Sequence, residues 1–195
     1  GSYYAAVQEK AESFGYELVS SIVQDWKVGG YTTRKRAVIV GSRIGKPSLS
    51  SIGLVHGMHN AGDALGKVDP TWANYGDIST SSEMTRKRMS FVPQGGNYTS
   101  IPEEYRTESK NRHSCTYRRL AWNEPAPTIT NWRKPPLIHP LEDRTLTVAE
   151  AKALQGLTSV YAERSDRNSS KLATAYPWPL AATSSRVCFV CLKED

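Results

Sequence analysis

The chain has 195 residues, of which 38% are hydrophobic and 23% are charged, and its formal net charge is +6. This length accommodates one domain with a real core, or a small domain with a piece of a second one. No apolar run approaches the length that crosses a bilayer and no secretory leader is present, so we expect a cytoplasmic protein without a membrane partner.

The N-terminal part of the sequence predicts a helix followed by two strands. Val7, Ala11 and Phe14 recur at helical spacing, and Gly15 is suited to the position just past a helix end. Residues 16–23 alternate in strand fashion, and the β-branched run at residues 37–40 predicts a buried strand. A helix and two strands are too few to fold alone, so we expect them to form the edge of a larger sheet.

Residues 46–102 have weak periodicity and many Gly, Ser, Thr and Asn residues, which predicts short strands and long loops rather than helices. Between Thr85 and Arg119 the chain also concentrates positive charge, a pattern that suits a polyanionic partner or an ordinary solvated face. Eight basic residues stand there against three acidic ones; the basic residues are Arg86, Lys87, Arg88, Arg106, Lys110, Arg112, Arg118 and Arg119.

The C-terminal part carries one strong helix signal and one strand signal. Thr147 and Glu150 have the spacing of a capping box, and the helix that they begin is predicted to close at Gly156. The apolar run at residues 187–192 predicts a buried strand.

The cysteines do not predict a disulfide framework or a metal site. Cys115, Cys188 and Cys191 are an odd number, which fits a reducing compartment. The Cys188–Cys191 spacing is that of half a zinc site, but no second pair exists. We assign no metal role to His56 or His59.

Three blocks, in order, resemble the DNA cytosine-5 methyltransferases. Residues 29–41 resemble the family's Q-x-R-x-R segment and the strand that follows it. A second block runs from Tyr117 through residues 125–130 to Gly156, and a third, at residues 175–181, is similar to the family's final G-N-A-V-P motif. Thr32 stands where the family has glutamine, Ala149 where it usually has arginine, and Ala173-Thr174 where Gly-Asn is expected.

The resemblance implies an α/β fold: the C-terminal part of a class I methyltransferase-like sheet, with a small, mostly β target recognition domain inserted in it. We expect residues 1–45 to supply C-terminal strands of the catalytic domain, residues 46–140 to form the recognition domain, and residues 141–195 to return to the catalytic domain as helices.

The residues that would perform methyl transfer in this family are missing from the sequence. The family's nucleophile is the cysteine of a Pro-Cys dipeptide, whereas Cys115, Cys188 and Cys191 follow Ser114, Val187 and Val190. The E-N-V glutamate and the Gly-rich S-adenosylmethionine loop are also missing. We therefore expect the cofactor to be bound mainly by an N-terminal half that another polypeptide provides, with Thr174 and Ala175 as weak candidates for contact here.

The resemblance also assigns site residues. Arg36 matches the position that reaches O2 of a flipped cytosine, and Arg34 supports the pocket or a nearby phosphate; the alternative is an ordinary basic turn before a strand. Thr128 and Thr130 match positions that bond the DNA backbone, although strand propensity alone also explains them. Phosphate contacts are predicted for the basic stretch, namely Arg86, Lys87, Arg88, Arg112, Arg118 and Arg119.

Two functions remain open from the sequence. In the first, the chain is the DNA-recognising part of a prokaryotic or phage-encoded cytosine-5 methyltransferase and acts on double-stranded DNA with a catalytic partner. This predicts a large apolar surface on residues 3–40 and 176–192, because an interrupted sheet leaves its faces uncovered. In the second, it is a non-catalytic DNA-binding or regulatory protein derived from such an enzyme.

Overall fold

The computed structural model describes residues 2–49, 58–106, 116–129, 137–157 and 188–192. Within these ranges the chain forms four α-helices and five strands. The helices are α1 (Ser2–Ser13), α2 (Ala61–Leu65), α3 (Glu83–Ser90) and α4 (Val148–Leu154), and the strands are β1 (Glu17–Gln24), β2 (Lys35–Ser42), β3 (Arg118–Arg119), β4 (Leu137–Ile138) and β5 (Cys188–Leu192).

The N-terminal elements confirm the predictions from periodicity. Helix α1 ends at Ser13, and Gly15 adopts a left-handed φ of 77° that redirects the chain into β1. A 3-10 turn at Asp25–Val28 follows β1 and leads to β2, whose central residues Val38 to Val40 are buried.

The main sheet has the order β1-β2-β5, with both pairs antiparallel. Val19 pairs with Val40, which in turn pairs with Phe189. The strand predicted at residues 187–192 is therefore confirmed as β5, and β2 is the central strand. Among the described strands, β1 has no neighbour on its other side, so its outer edge is open to pairing.

The prediction that the inserted region is mostly β is wrong for its described residues. They contain α2, α3 and two 3-10 turns, whereas β3 and β4 are two-residue strands. The abundance of polar residues led us to expect loops, but two of these residues are helix caps: Asn60 accepts the Asp63 amide at 2.9 Å, and Ser82 accepts the Thr85 amide at 3.2 Å. A short side chain that bonds to the backbone begins a helix as readily as a turn.

The larger apolar core lies where α2 packs against α4. Gly62 lets the backbone of α2 lie against the side chain of Trp122, because a Cβ atom there would lie 2.4 Å from the indole nitrogen. The Gly62 amide also donates to the Trp122 carbonyl at 2.9 Å, which joins α2 to the segment after β3. A smaller core consists of Met89, Val92, Ile101 and Ile138.

Helix α4 begins at the predicted capping box. The Thr147 hydroxyl accepts the Glu150 amide at 3.1 Å, and the Glu150 carboxylate accepts the Thr147 amide at 2.8 Å. Glu150 is buried, which by itself would raise the pKa of its carboxyl. Hydrogen bonds from Arg144 and from the Thr147 amide outweigh burial and lower that pKa below its usual value.

A buried lysine ties α4 to a distant turn. Lys152 has no exposed surface, and its ammonium donates to the Ala73 carbonyl at 2.7 Å. Burial lowers the pKa of Lys152, while Asp77 opposes this shift. The Val148 amide donates to the Asp77 carbonyl at 2.9 Å, so the helix holds this turn at two points.

An apolar cavity of about 560 Å³ lies between α1 and the sheet. Its walls include Val7, Phe14, Leu18 and Ile39, and Phe14 is 56% exposed. Residues 3–40 thus contribute an apolar surface that the described parts of the chain leave open, whereas residues 176–187 lie outside the described residues. None of the described helices is both long and apolar enough to pass through a membrane.

Candidate functional site

Arg34 lies just before β2, and Arg36 lies near the start of that strand. Exposure alternates here: Thr33 and Lys35 are exposed, Thr32 is 4% exposed, and the two arginines are half-buried. Alternate residues of an extended chain share a face, so the arginines point to the same side as Thr32. One guanidinium nitrogen of Arg36 donates to the Lys35 carbonyl at 2.7 Å.

The loop before these arginines is closed by Asp25. One oxygen of its carboxylate accepts both the amide of Thr32, at 3.0 Å, and its hydroxyl, at 2.5 Å. The Asp25 amide donates to the Arg34 carbonyl at 2.9 Å, and the Trp26 amide donates to the Thr32 carbonyl at 3.2 Å. These bonds fix the backbone from which the arginines project.

A bridge joins the arginine segment to a stretch more than ninety residues later in the chain. Thr32 pairs with Ala126 in parallel. The Thr33 amide donates to the Ala126 carbonyl and the Ala126 amide to the Tyr31 carbonyl, both at 2.8 Å. Thr128, two residues beyond this bridge, is exposed. The structure thus brings two of the sequence blocks together at a single point.

The rings of Tyr31 and His59 lie beside this bridge. Their rings stack with centroids 5.6 Å apart, and Nδ1 of His59 lies 3.1 Å from the Gly29 carbonyl oxygen. The Lys67 ammonium donates to the Tyr31 hydroxyl at 2.5 Å. His59 therefore holds the loop from the side of the insert, a role that its sequence context gave no sign of.

Helix α3 presents two of the predicted basic residues to solvent. Arg86 and Lys87 are exposed, and the aliphatic chain of Lys87 extends so that its ammonium lies 5.3 Å from the Phe91 ring centre. Arg88 is half-buried and its Nε donates to the Tyr105 carbonyl at 2.6 Å, which anchors the helix to a later 3-10 turn. Arg86 and Lys87 are thus the outward-facing cations of α3.

The predicted phosphate contact of Arg119 is wrong. Its side chain is 6% exposed, and all five N–H groups are engaged with protein acceptors. Nε donates to the Val92 carbonyl at 2.6 Å, one terminal nitrogen donates to the carbonyls of His139 and Glu142 at 2.9 and 2.8 Å, and the other donates to the Met89 carbonyl at 2.8 Å and to Asp143. Arg119 therefore holds the smaller core together, while its neighbour Arg118 is exposed.

Four of the predicted site residues cannot be compared with the structure. Arg112, Thr130, Thr174 and Ala175 lie outside the described residues.

The described residues do not fit S-adenosylmethionine. Gly41 lies within β2, and Gly45 lies in the turn that follows the strand. Ile44 in that turn is 80% exposed and a Cβ at Gly45 would meet nothing within 4 Å, so the turn forms no cradle. The cavity beside α1 is lined by apolar side chains and Lys10, without a carboxylate to receive ribose hydroxyls. The described ranges also hold no cluster of three or more metal-ligating side chains.

Residues 1–174 match the C-5 cytosine-specific DNA methylase family. This chain belongs to that family. The methylase family generally uses S-adenosylmethionine as its methyl donor, and membership confirms the family resemblance that the three sequence blocks carried. That the chain holds the second half of the family pattern stays a prediction.

Curated relatives agree with the family match. The chain is 30% identical to the type II methyltransferase M.NgoFVII of Neisseria gonorrhoeae over 129 residues, which are 60% of the chain and 34% of that relative. It is 30% identical to M1.HphI of Haemophilus parahaemolyticus over 169 residues, 80% of the chain and 42% of that relative. It is 41% identical to M.AquIB of Picosynechococcus over 71 residues, 36% of the chain and 45% of that relative. The chain thus spans less than half the length of these relatives.

A solved structure shares the fold of this methylase-family chain. The crystal structure of a DNA modification methyltransferase encoded within an E. coli prophage superposes with a TM-score of 0.57 and 18% identity, over 90% of this chain and 61% of that one. The likeness confirms an α/β, methyltransferase-like fold. The boundaries predicted at residues 45 and 140 stay predictions.

Proposed function

We propose that this chain is the DNA-recognising and active-site-closing part of a DNA (cytosine-5) methyltransferase. It works on double-stranded DNA with another polypeptide segment that brings the cofactor loop and the catalytic cysteine. The observation that carries the proposal is the bridge between Thr32 and Ala126, because it joins the arginine segment to the exposed Thr128.

The chemistry of the site suits a cytosine held outside the duplex. Such a base must leave the stack before C6 can be attacked, and the protein must then hold it. A guanidinium offers a planar fork of donors for O2 of the ring and stabilises negative charge that develops there. Arg36 takes this role in our proposal, Arg34 supports it, and the Thr128 hydroxyl bonds a neighbouring phosphate.

Arg86, Lys87 and Arg118 supply the phosphate contacts of the recognition region. All three are exposed. Contacts of this kind position the protein on the duplex but do not read its sequence. Base reading is assigned to loops of the insert.

The apolar surface beside α1, which the described residues leave open, is the second observation in favour of a further polypeptide segment. Its cavity is apolar, and the outer edge of β1 has no partner among the described strands. A sheet that ends in an open edge and an uncovered apolar face gains stability when further elements cover it. We assign this surface to the segment that carries the Pro-Cys dipeptide and binds S-adenosylmethionine.

The test is a comparison of duplex binding by the wild-type chain and by R36A, with R36K as the conservative control. The chain alone should bind duplex DNA in a salt-sensitive manner. R36A should retain binding to fully paired DNA but lose any preference for a duplex with a mispaired, easily extruded cytosine. Absence of duplex binding at low salt would overturn the proposal. Binding without methyl transfer, once the catalytic segment is added, would instead favour a non-catalytic DNA-binding protein.

A further inference from the structure

We propose that Asp25 is a positioning residue of this site. Resting on the function proposed above, it sets the spacing between the Arg34–Arg36 segment and Thr128, so that both engage the same extruded nucleotide. Asp25 acts through Thr32 and makes no contact with DNA itself.

Asp25 fixes both the backbone and the side chain of Thr32. A single carboxylate oxygen receives two donors, the Thr32 amide at 3.0 Å and the Thr32 hydroxyl at 2.5 Å. Both bonds are charge-assisted, and such bonds are roughly twice as strong as neutral ones. Because one bond holds the backbone and the other the side chain, Thr32 keeps one rotamer and one position.

Thr32 in turn contacts both halves of the site, the arginine segment and the segment that leads to Thr128. On one side, the Arg34 amide approaches the Thr32 hydroxyl at 3.4 Å, and the Arg34 carbonyl accepts the Asp25 amide. On the other side, Thr32 forms the bridge to Ala126. A displacement of Thr32 would therefore move the arginines and the segment that leads to Thr128 relative to each other.

Two features of the sequence agree with this connection between Asp25 and Thr32. A Cβ at position 30 would lie 2.1 Å from the Asp25 carboxylate, so Gly30 makes room for the carboxylate to reach Thr32. Position 32 is also where the sequence departs from the glutamine that its family resemblance leads one to expect. In this chain the residue at position 32 is connected across the loop by the Asp25 carboxylate.

The test uses D25N, D25A and T32V, with T32S as the conservative variant and E9Q, an exposed carboxylate on α1, as the matched control. Amide hydrogen exchange of the chain alone reports on the loop. T32V, which loses one charge-assisted hydrogen bond, should reduce protection of the Thr32 and Ala126 amides by about tenfold. D25A, which loses both, should reduce that protection further. T32S and E9Q should leave this protection unchanged, and amides of α4 should not respond in any variant.

The second readout separates positioning from a purely structural role. Duplexes selected by the wild-type chain from a random-sequence pool are prepared in a fully paired form and with a mispaired cytosine. Wild type, T32S and E9Q should prefer the mispaired form, because its base is extruded at lower cost. D25A and T32V should lose that preference while their affinity for the paired duplex stays within about twofold, and D25N should be intermediate.

Each outcome decides something. A loosened loop with an unchanged preference for the mispaired duplex overturns the inference, since Asp25 would then serve the fold alone. Unchanged exchange in D25A and T32V overturns it as well. A wild-type chain that binds no duplex, or that binds without the preference, overturns the proposed function instead, and the exchange data then stand as evidence about the loop only.

Discussion

Two hydrogen bonds of 2.8 Å join the guanidinium of Arg144 to the carboxylate of Glu150. The same carboxylate caps α4 through the Thr147 amide. One acidic side chain thus holds both the start of the helix and the turn before it. The stability of this region should therefore depend on the ionisation of Glu150.

The first prediction concerns E150Q. Because the folded-state pKa of Glu150 is lowered, its contribution to stability is present above its usual pKa of 4.5 and is lost as pH falls through the folded-state value. At pH 7 the free energy of unfolding of E150Q should be lower than that of wild type by about 2 kcal/mol. Urea denaturation at several pH values measures the gap, which should narrow below pH 4.5. A gap that is constant down to pH 3, about one unit below the usual range for glutamate, would contradict the assignment.

The second prediction concerns His139. Burial, with Arg144 and Arg119 nearby, lowers the pKa of His139 from 6.5, against the opposing effect of Glu150 and Glu142. The unfolded chain then takes up a proton at a higher pH than the folded one, so stability is lost as pH falls below 6.5. The slope of the free energy of unfolding against pH, measured by urea denaturation, should approach about 1.4 kcal/mol per pH unit.

The H139Q variant is the control for that slope. It has no imidazole to titrate, so its free energy of unfolding should vary less between pH 6.5 and 5, a window set by the usual histidine pKa of roughly 6.5. Parallel pH profiles for wild type and H139Q would show that the slope has another source.

The third prediction separates two adjacent arginines. In R119K the three donors of lysine cannot replace the five donors of arginine, so buried carbonyls lose their partners. The substitution should therefore lower the free energy of unfolding by about 3 kcal/mol. R118A should leave that free energy unchanged and weaken duplex binding, because Arg118 is exposed. Thermal and urea denaturation, with binding measured below the melting transition, check both parts. Equal stability of R119K and wild type would refute the structural role.

The fourth prediction concerns the salt dependence of DNA binding. Each phosphate that a cation neutralises contributes about 0.9 to the slope of log affinity against log salt. The double variant R86A/K87A should therefore reduce the magnitude of that slope by about two if each residue contacts one phosphate. K10A, which removes an exposed lysine of α1, is the matched control and should keep the wild-type slope. Identical slopes for all three proteins would remove α3 from the interface.

Local signals predicted the elements that depend on local interactions. The spacing of apolar residues was enough for α1 and β1, and the Thr147–Glu150 capping box was enough for α4, since each of these signals acts within a few residues. The insert was predicted wrongly because Asn60 and Ser82 cap helices in the fold, whereas short polar side chains of this kind also begin turns.

The site was predictable only where a motif carried it. The sequence blocks led to Arg34 and Arg36, but charge alone could not separate Arg118 from Arg119. The acceptors of Arg119 are carbonyls that lie 20 to 30 residues away in sequence, and only the fold brings them together. Asp25 was missed for a similar reason: its partner Thr32 lies across a loop, and only a departure from the family's glutamine marked that position.

The central claim is that this chain grips the target cytosine while another polypeptide segment makes the bond. The most direct measurement is transfer of labelled methyl groups from S-adenosylmethionine to duplex DNA. In this assay the chain is mixed with a second polypeptide that carries the family's Pro-Cys dipeptide. The coding sequence for that polypeptide is taken from the DNA next to the coding sequence of this chain. Our account predicts transfer by the mixture, none by either component, and none when R36A replaces the wild-type chain. Methyl transfer that proceeds equally well without this chain, or with R36A in its place, would contradict it.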